Sequence, residues 1–257
     1  MINMNLKFCI PSKGRSDYIK TKTLALLEKH NIDKKDIYIF VAPDEIETYK
    51  NALTEYQIVE GADGISKQRE AISKYFPRNE FIVSIDDDVS EIYEHGETVT
   101  NLLYICHDIF NHLIANDMTL AGCNPCSNTF FAKKTITTDL KFCCGAFKCF
   151  INKPELETRD YELVEDYENT LKHYCYGGGI LRFNYITLKV NYNSAKGGLK
   201  GVRTLEKKLY EVKKFTEQYP NYCKAKKDNM EIQLYKNPKR ELIKSLWIGL
   251  YLNQLSE

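Results

Sequence analysis

The stretch FIVSIDDDVSEIYE, residues 81–94, runs an apolar segment straight into three consecutive aspartates. The apolar residues read as a short buried strand. Asp86, Asp87 and Asp88 then repel one another at its end unless solvent, turn amides or a cation neutralises them. A hard divalent ion, Mg2+ or Mn2+, meets that need with one or two carboxylates and the oxygens of a bound diphosphate. An exposed turn or a helix cap would hold the same residues without a metal.

The surroundings of this stretch choose between these alternatives. Leu6–Ile10 reads as a buried strand, Pro11 to Arg15 as a loop, and Tyr18, Leu24 and Leu27 as the apolar face of a helix. The unit repeats: a strand at 36–41, a helix at 43–53, a strand at 56–59, a helix at 65–75, and the strand at 81–85. Strands alternating with helices at this spacing predict an α/β fold, a doubly wound parallel sheet with helices on both faces. Ligands of such sheets bind at the carboxyl ends of the strands. Asp86–Asp88 and the loop carrying Lys13 and Arg15 both lie at such ends, which favours a nucleotide diphosphate with its metal.

Beyond a helix at 101–115 the alternation lapses. Strand-like pieces at 120–123, 129–132 and 142–151 predict a mixed, partly antiparallel second half, followed by a helix at 162–174, a break at Gly177–Gly179 and a strand at 180–191. Either that glycine run or Lys196–Gly198 could border a ligand or form an ordinary turn.

The 257 residues suffice for one large domain, and 43% hydrophobic with 28% charged residues excludes a disordered or membrane-embedded chain. No apolar run approaches a membrane span, and no secretory leader opens the sequence, so a cytoplasmic location is expected. Nine cysteines, an odd number, are then expected to be reduced. Cys123, Cys126, Cys143, Cys144 and Cys149 offer thiolates for a structural zinc, although the second pair is spaced poorly for it.

The loop Phe8–Arg15, the Ser66–Arg69 helix segment, the Asp-x-Asp formed by Asp86–Asp88 and the later pair Glu165-Asp166 together resemble the GT-A type of nucleotide-sugar glycosyltransferase, over most of residues 5 to 200. The Pro11-Ser-Lys-Gly-Arg15 opening is most similar to the TET-associated glycosyltransferases of phages and related viruses, which are implicated in decorating hydroxymethylated pyrimidines in DNA. The resemblance implies a GT-A Rossmann-like mixed sheet flanked by helices, with a catalytic domain at 1–200 and a basic helical extension at 201–257 packed on it. Within the domain, residues 1–100 would form the nucleotide-binding half and 101–200 the acceptor side. It implies a UDP-sugar donor and Mn2+ or Mg2+. Pro11, Ser12 and Arg15 would line the nucleotide pocket, with Lys13, Lys67 and Asp87 on the donor side. Arg69 would reach the base, ribose or diphosphate, Asp86 would face the ribose and sugar, and Asp88 would hold the metal with Asp86. One of Glu165 and Asp166, by preference Asp166, would be the general base that takes the proton of the acceptor hydroxyl. Plain alternatives are a pair of surface arginines in ion pairs and a run of acids that favours a helix start.

Between Lys196 and Arg240 there are 13 Lys or Arg against 5 Asp or Glu. Lys207, Lys213, Lys214, Lys224, Lys226 and Lys227 would suit DNA phosphates, with Tyr219 or Tyr222 stacking on a displaced base; a solvated helix face gives the same pattern. Two other functions fit parts of the sequence. A sugar-nucleotide pyrophosphorylase would use a related sheet, but the 11–15 loop is poor in glycine for it. A zinc-stabilised nucleic-acid-binding protein would use the cysteines and the basic tail.

Overall fold

Leu6–Pro11 (β1), Ile37–Val41 (β2), Gln57–Glu60 (β3) and Phe81–Ile85 (β4) are all parallel and lie side by side in the order β3-β2-β1-β4. They belong to a computed structural model that describes residues 4–126, 128, 130, 132–190 and 204–238. The Lys196–Gly198 turn, Thr129 and Phe131 of the expected strand, and the expected boundary near residue 200 lie outside the described residues. Alternation along β1 sends Leu6, Phe8 and Ile10 into one core and Cys9 into the other, as a strand covered on both faces requires. Thr23–Lys29 (α1) and Ile46–Ala52 (α2) cover the first face through Leu24, Leu27 and Tyr49, while Ile65–Tyr75 (α3) covers the second through Ile72.

After β4 the chain crosses Asp86–Asp88 and leaves this sheet. Val89–Glu94 (β5) pairs with Glu97–Thr98 (β6) in a separate antiparallel sheet. The three aspartates therefore occupy a corner between two sheets. Leu102–Ala115 (α4), capped by the Asn101 side chain on the Tyr104 amide, packs on the first face.

The second half is mixed, as expected. Leu120–Cys123 (β7) and Phe147–Ile151 (β9) run antiparallel to each other, and β9 pairs antiparallel with β4. The short Ile136–Thr137 (β8) closes the edge against Leu181–Phe183 (β10), which is parallel to β7. The full order is β3-β2-β1-β4-β9-β7-β10-β8. Glu165–Gly177 (α5) covers the second face and ends where Gly178 takes a left-handed φ of 80°, which glycine adopts without strain. Ile186–Val190 (β11) returns to β5.

Leu205–Gln218 (α6) and the hairpin of Cys223–Ala225 (β12) with Ile232–Leu234 (β13) add to the second core through Val212, Phe215, Tyr219, Tyr222 and Ile232. The C-terminal segment thus contributes a hairpin as well as a helix. Among the described residues no helix is long and apolar enough to cross a membrane.

Behind α5 lies a buried ionic chain. His173 Nε2 donates to Glu157 Oε1 at 2.7 Å, and its Nδ1 lies 2.7 Å from the Thr119 hydroxyl. The other Glu157 oxygen meets Arg159 at 2.7 Å and Lys148 Nζ at 3.7 Å. Arg159 passes on to Glu165 at 3.1 Å. Against the upward push of burial, Lys148, Arg159 and the His173 hydrogen bond hold Glu157 well below the usual carboxylate range. Burial in turn pushes the His173 ring down, toward its neutral form.

Removing one member strands its partners in a dry interior. Glu157→Gln is expected to lower stability by about 3–5 kcal/mol in urea unfolding. Because folding depresses the affinity of His173 for its proton, the unfolded chain takes up that proton first as pH falls. The stability advantage of the wild type over His173→Gln should be constant above about pH 6.5 and shrink below it, measured as paired urea curves.

Candidate functional site

The site begins with the Asp86–Asp88 corner and what fastens it. Asp86 N donates to Ala146 O at 3.0 Å. The buried Thr23 hydroxyl, at the first residue of α1, donates to Asp86 O at 2.6 Å and accepts from Val89 N at 3.2 Å. One hydroxyl thereby satisfies backbone groups at both ends of the turn. The sequence gives no hint of this role for Thr23.

The three carboxylates then diverge. Asp87 is buried and faces the tip of β1: it accepts from Ser12 Oγ at 2.6 Å and Arg15 Nη1 at 2.6 Å. Tyr49 closes this knot, with its hydroxyl 2.7 Å from Ser12 Oγ and accepting from Arg15 N at 2.9 Å. Asp88 meets Arg15 at 3.3 Å with its side chain 11% exposed. Asp86 is the most open, its side chain 30% exposed. Burial, partly opposed by the arginines, pushes all three above the usual aspartate range, and the charge of Asp87 adds to the push on Asp88.

The other strand tips supply the remaining expected donor residues. Pro11 ends β1 opposite Phe40, and the following amide of Ser12 bonds Phe40 O at 2.9 Å. Lys13 forms an exposed ion pair with Asp63, from the loop before α3. Lys67 sits elsewhere: its ammonium pairs with Glu70 at 2.9 Å and approaches Arg159 O, away from the aspartates.

Arg69 lies beneath the corner, only 4% exposed. It donates to Asp86 Oδ1 at 3.1 Å, Glu165 Oε1 at 2.9 Å, and Ser84 Oγ and Gly145 O at 3.3 Å each. A guanidinium so committed holds other groups in place and does not extend toward a ligand. Glu165 is likewise turned inward, between Arg69 and Arg159; against the push of burial these two cations hold it below the ordinary glutamate range.

Asp166, at the next position of α5, is half-buried. Its Oδ2 accepts from Gly145 N at 2.9 Å, and its Oδ1 is buried without a hydrogen-bond partner. Burial first, and the neighbouring Glu165 charge second, raise its affinity for a proton. A Cβ on Gly145 would stand 2.2 Å from Arg69 Nη2 and 2.6 Å from Asp166 Oδ1, so only glycine lets both groups close on this backbone. Asp86 and Asp166 thus share one guanidinium as their common neighbour.

Five carboxyl groups (Asp86, Asp87, Asp88, Glu165 and Asp166) are gathered around three guanidiniums, those of Arg15, Arg69 and Arg159. The excess of negative charge and the hard oxygen donors of Asp86 and Asp88 fit Mg2+ or Mn2+ completed by solvent and phosphate oxygens. They do not form a closed protein cage: among the described residues no three His, Cys, Asp or Glu side chains converge to hold a metal. The zinc expectation fails on geometry. Cys123 and Cys149 face one core and Cys143 the other, and all nine thiols are free.

The basic C-terminal residues are more neutral in place than in sequence. Lys207 pairs with Glu162, Lys213 lies 3.9 Å from Glu217, and Lys226 pairs with Glu231. Lys214 lies over the Tyr161 ring, and Lys224 and Lys227 are exposed. Tyr219 and Tyr222 are 3% and 2% exposed, so the expectation that either stacks on a base is corrected: both rings belong to the core under α6.

No protein-family model matches the chain, and no curated protein matches its sequence. Among solved structures, GalNAc-T7 with UDP, GalNAc and Mn2+ is similar with a TM-score of 0.56 at 8% identity, over 97% of this chain and 55% of that one. Glucosyl-3-phosphoglycerate synthase from Mycobacterium tuberculosis, in complex with Mn2+, UDP-glucose and phosphoglyceric acid, gives 0.54 at 9% identity, over 95% and 91%. S. aureus TarS 1–349 gives 0.45 at 15% identity, over 72% and 59%, so the chain spans little more than half the length of two of these three proteins. The mixed sheet and its helical layers have the GT-A fold seen in these neighbours.

Proposed function

We propose that the protein is a metal-dependent glycosyltransferase that moves a sugar from a UDP-sugar to a hydroxyl acceptor. One observation carries this reading: Asp86 and Asp88 lie at the carboxyl end of β4 beside the β1 tip, Asp88 on Arg15 and Asp86 on the buried Arg69, whose guanidinium also neighbours the half-buried carboxylate of Asp166. Asp86 and Asp88 would hold Mn2+ or Mg2+. When bound, the ion neutralises charge on the departing diphosphate. Lys13 and the backbone of Pro11 to Arg15 border the donor, while Ser12, Arg15 and Asp87 fix the shape of that border by bonding one another.

Asp166 is the general base. The acceptor hydroxyl gives its proton to the carboxylate as its oxygen bonds the sugar C1, and the C1–O bond to the diphosphate breaks with its electron pair leaving on UDP. A buried carboxylate with raised proton affinity suits this transfer better than an ordinary surface aspartate. Arg69 and Glu165 position the two ends of the site. For the acceptor, the resemblance to the TET-associated enzymes favours a hydroxymethylated pyrimidine in phage or viral DNA, with the exposed Lys224 and Lys227 toward the phosphates.

The decisive experiment incubates the protein with Mn2+, a panel of UDP-sugars and hydroxymethylated DNA, and follows UDP and nucleoside masses. Release of UDP with a hexose or N-acetylhexosamine added to the nucleoside is expected; pyrophosphate formed from UTP and a sugar phosphate would overturn it. Asp88→Ala is expected to abolish Mn2+-dependent UDP binding in calorimetry. Asp166→Asn should keep that binding and slow transfer by about 100- to 10,000-fold. Thr23→Val, which keeps the shape and removes the hydroxyl, should weaken Mn2+-dependent UDP binding by about tenfold, with recovery in Thr23→Ser.

A further inference from the structure

Arg15 joins the two carboxylates that follow Asp86. Its Nη1 alone reaches both, at 2.6 Å from Asp87 Oδ1 and 3.3 Å from Asp88 Oδ2. The shorter contact belongs to a buried knot, because Asp87 also accepts from Ser12 Oγ at 2.6 Å and Ser12 Oγ lies 2.7 Å from the Tyr49 hydroxyl. The longer contact stands outside that knot, on Asp88.

The backbone beneath this guanidinium is held firmly. Arg15 N donates to the Tyr49 hydroxyl at 2.9 Å, Arg15 O accepts from Ile19 N at 3.0 Å, and the amide of Gly14, whose φ is 67°, donates to Glu45 at 2.9 Å. A change in what Arg15 binds is therefore a change of its side-chain rotamer, with the loop left in place. The Tyr18 ring, with its centroid 5.7 Å from Arg15 Cζ, gives the side chain a further surface to rest on.

Both carboxylates assigned to the metal thus face an arginine already, Asp86 facing Arg69 and Asp88 facing Arg15. The two arginines differ in their freedom. Arg69 is bound to Glu165, Ser84 and Gly145 as well as to Asp86, whereas Arg15 can give up the 3.3 Å contact and keep the 2.6 Å one. A divalent cation that approaches Asp88 by itself meets a guanidinium within hydrogen-bonding range, and like charges repel strongly where the side chains are only 12% and 11% exposed. A diphosphate reverses that balance, since its oxygens attract the ion and are also the acceptors a guanidinium prefers.

We propose that Arg15 is a resident counter-ion that withholds Asp88 from a divalent cation until a diphosphate draws its guanidinium away. The proposal rests on Asp86 and Asp88 being the metal ligands of the transferase described above. Ion and nucleotide are then coupled through one side chain: UDP raises the affinity for the ion by the factor by which the ion raises that for UDP, and Arg15 sets most of this factor.

The test is calorimetric titration of the full chain with Mn2+ alone and again with saturating UDP, corrected for the Mn2+–UDP complex formed in buffer. Arg15→Gln is expected to bind Mn2+ alone about tenfold more tightly than the wild type, and the gain conferred by UDP should shrink by a similar factor. Arg15→Lys, which keeps the charge, should stay within about threefold of the wild type for Mn2+ alone. A merely structural role for Arg15 predicts the opposite sign, because a damaged corner binds Mn2+ less well. Unchanged or weaker binding of Mn2+ alone by Arg15→Gln, equal tightening in both variants, or a wild-type Mn2+ affinity indifferent to UDP would overturn the proposal. A wild type that binds no Mn2+ even with UDP would instead remove the metal assignment. If Arg15→Gln fails to fold, the Nε–H resonance of Arg15 in the wild type, assigned by its loss in Arg15→Lys, takes its place. It should move when Mg2+ and UDP are added together and stay put with Mg2+ alone; movement with Mg2+ alone, or none with both, overturns the proposal equally.

Discussion

The buried guanidinium of Arg69 is the interaction on which the site depends. A carboxylate cannot be kept in a protein interior without a partner, and here one cation serves Asp86, from the corner between two sheets, and Glu165, from the start of α5. The remaining donors of Arg69 go to Ser84 on β4 and to Gly145 O, so a single planar group spans strand, loop and helix. Because its position is set from four sides, the distance between Asp86 and Asp166 is set as well. That separation is what the proposed transfer between a donor and an acceptor would require to be constant.

The fold supplies these groups in an economical way. Parallel strands leave their carboxyl ends together, which brings the β1 and β4 tips side by side. The antiparallel β9 then runs back along β4, so the residues just before it, 142–146, arrive at the same end of the sheet. Helix α5 has no side-chain cap, and its acidic first turn lies at the positive end of the helix dipole while facing Arg69 and Arg159.

The parallel half was legible in the sequence because its strands and helices keep their periods and because Pro11, Gly64 and the aspartates punctuate them. The helix at 65–75 has the expected bounds, and the break at Gly177–Gly179 is a left-handed cap. The strand expected at 142–151 starts only at Phe147, since the backbone of Gly145 is diverted to carry Asp166 and Arg69. Along α6 the apolar face is buried at Val212 and Phe215 but not at its first turn, where Leu205 is 60% exposed. Local pattern placed Asp86, Asp88 and Asp166 at strand and helix ends. It could not show that Ser12, Arg15, Asp87 and Tyr49 bind one another, or that Arg159, Lys148, Glu157 and His173 stand behind Glu165, because those contacts join residues far apart in the chain.

The ionic chain from Thr119 through His173, Glu157, Arg159, Glu165 and Arg69 to Asp86 has a consequence for motion. It crosses from β7 to the corner after β4, so neither half of the domain can open alone without separating charges in a dry medium. Amide exchange around the aspartate corner should accordingly follow whole-domain unfolding instead of local breathing, and a ligand bound there would slow exchange at Thr119, just before β7.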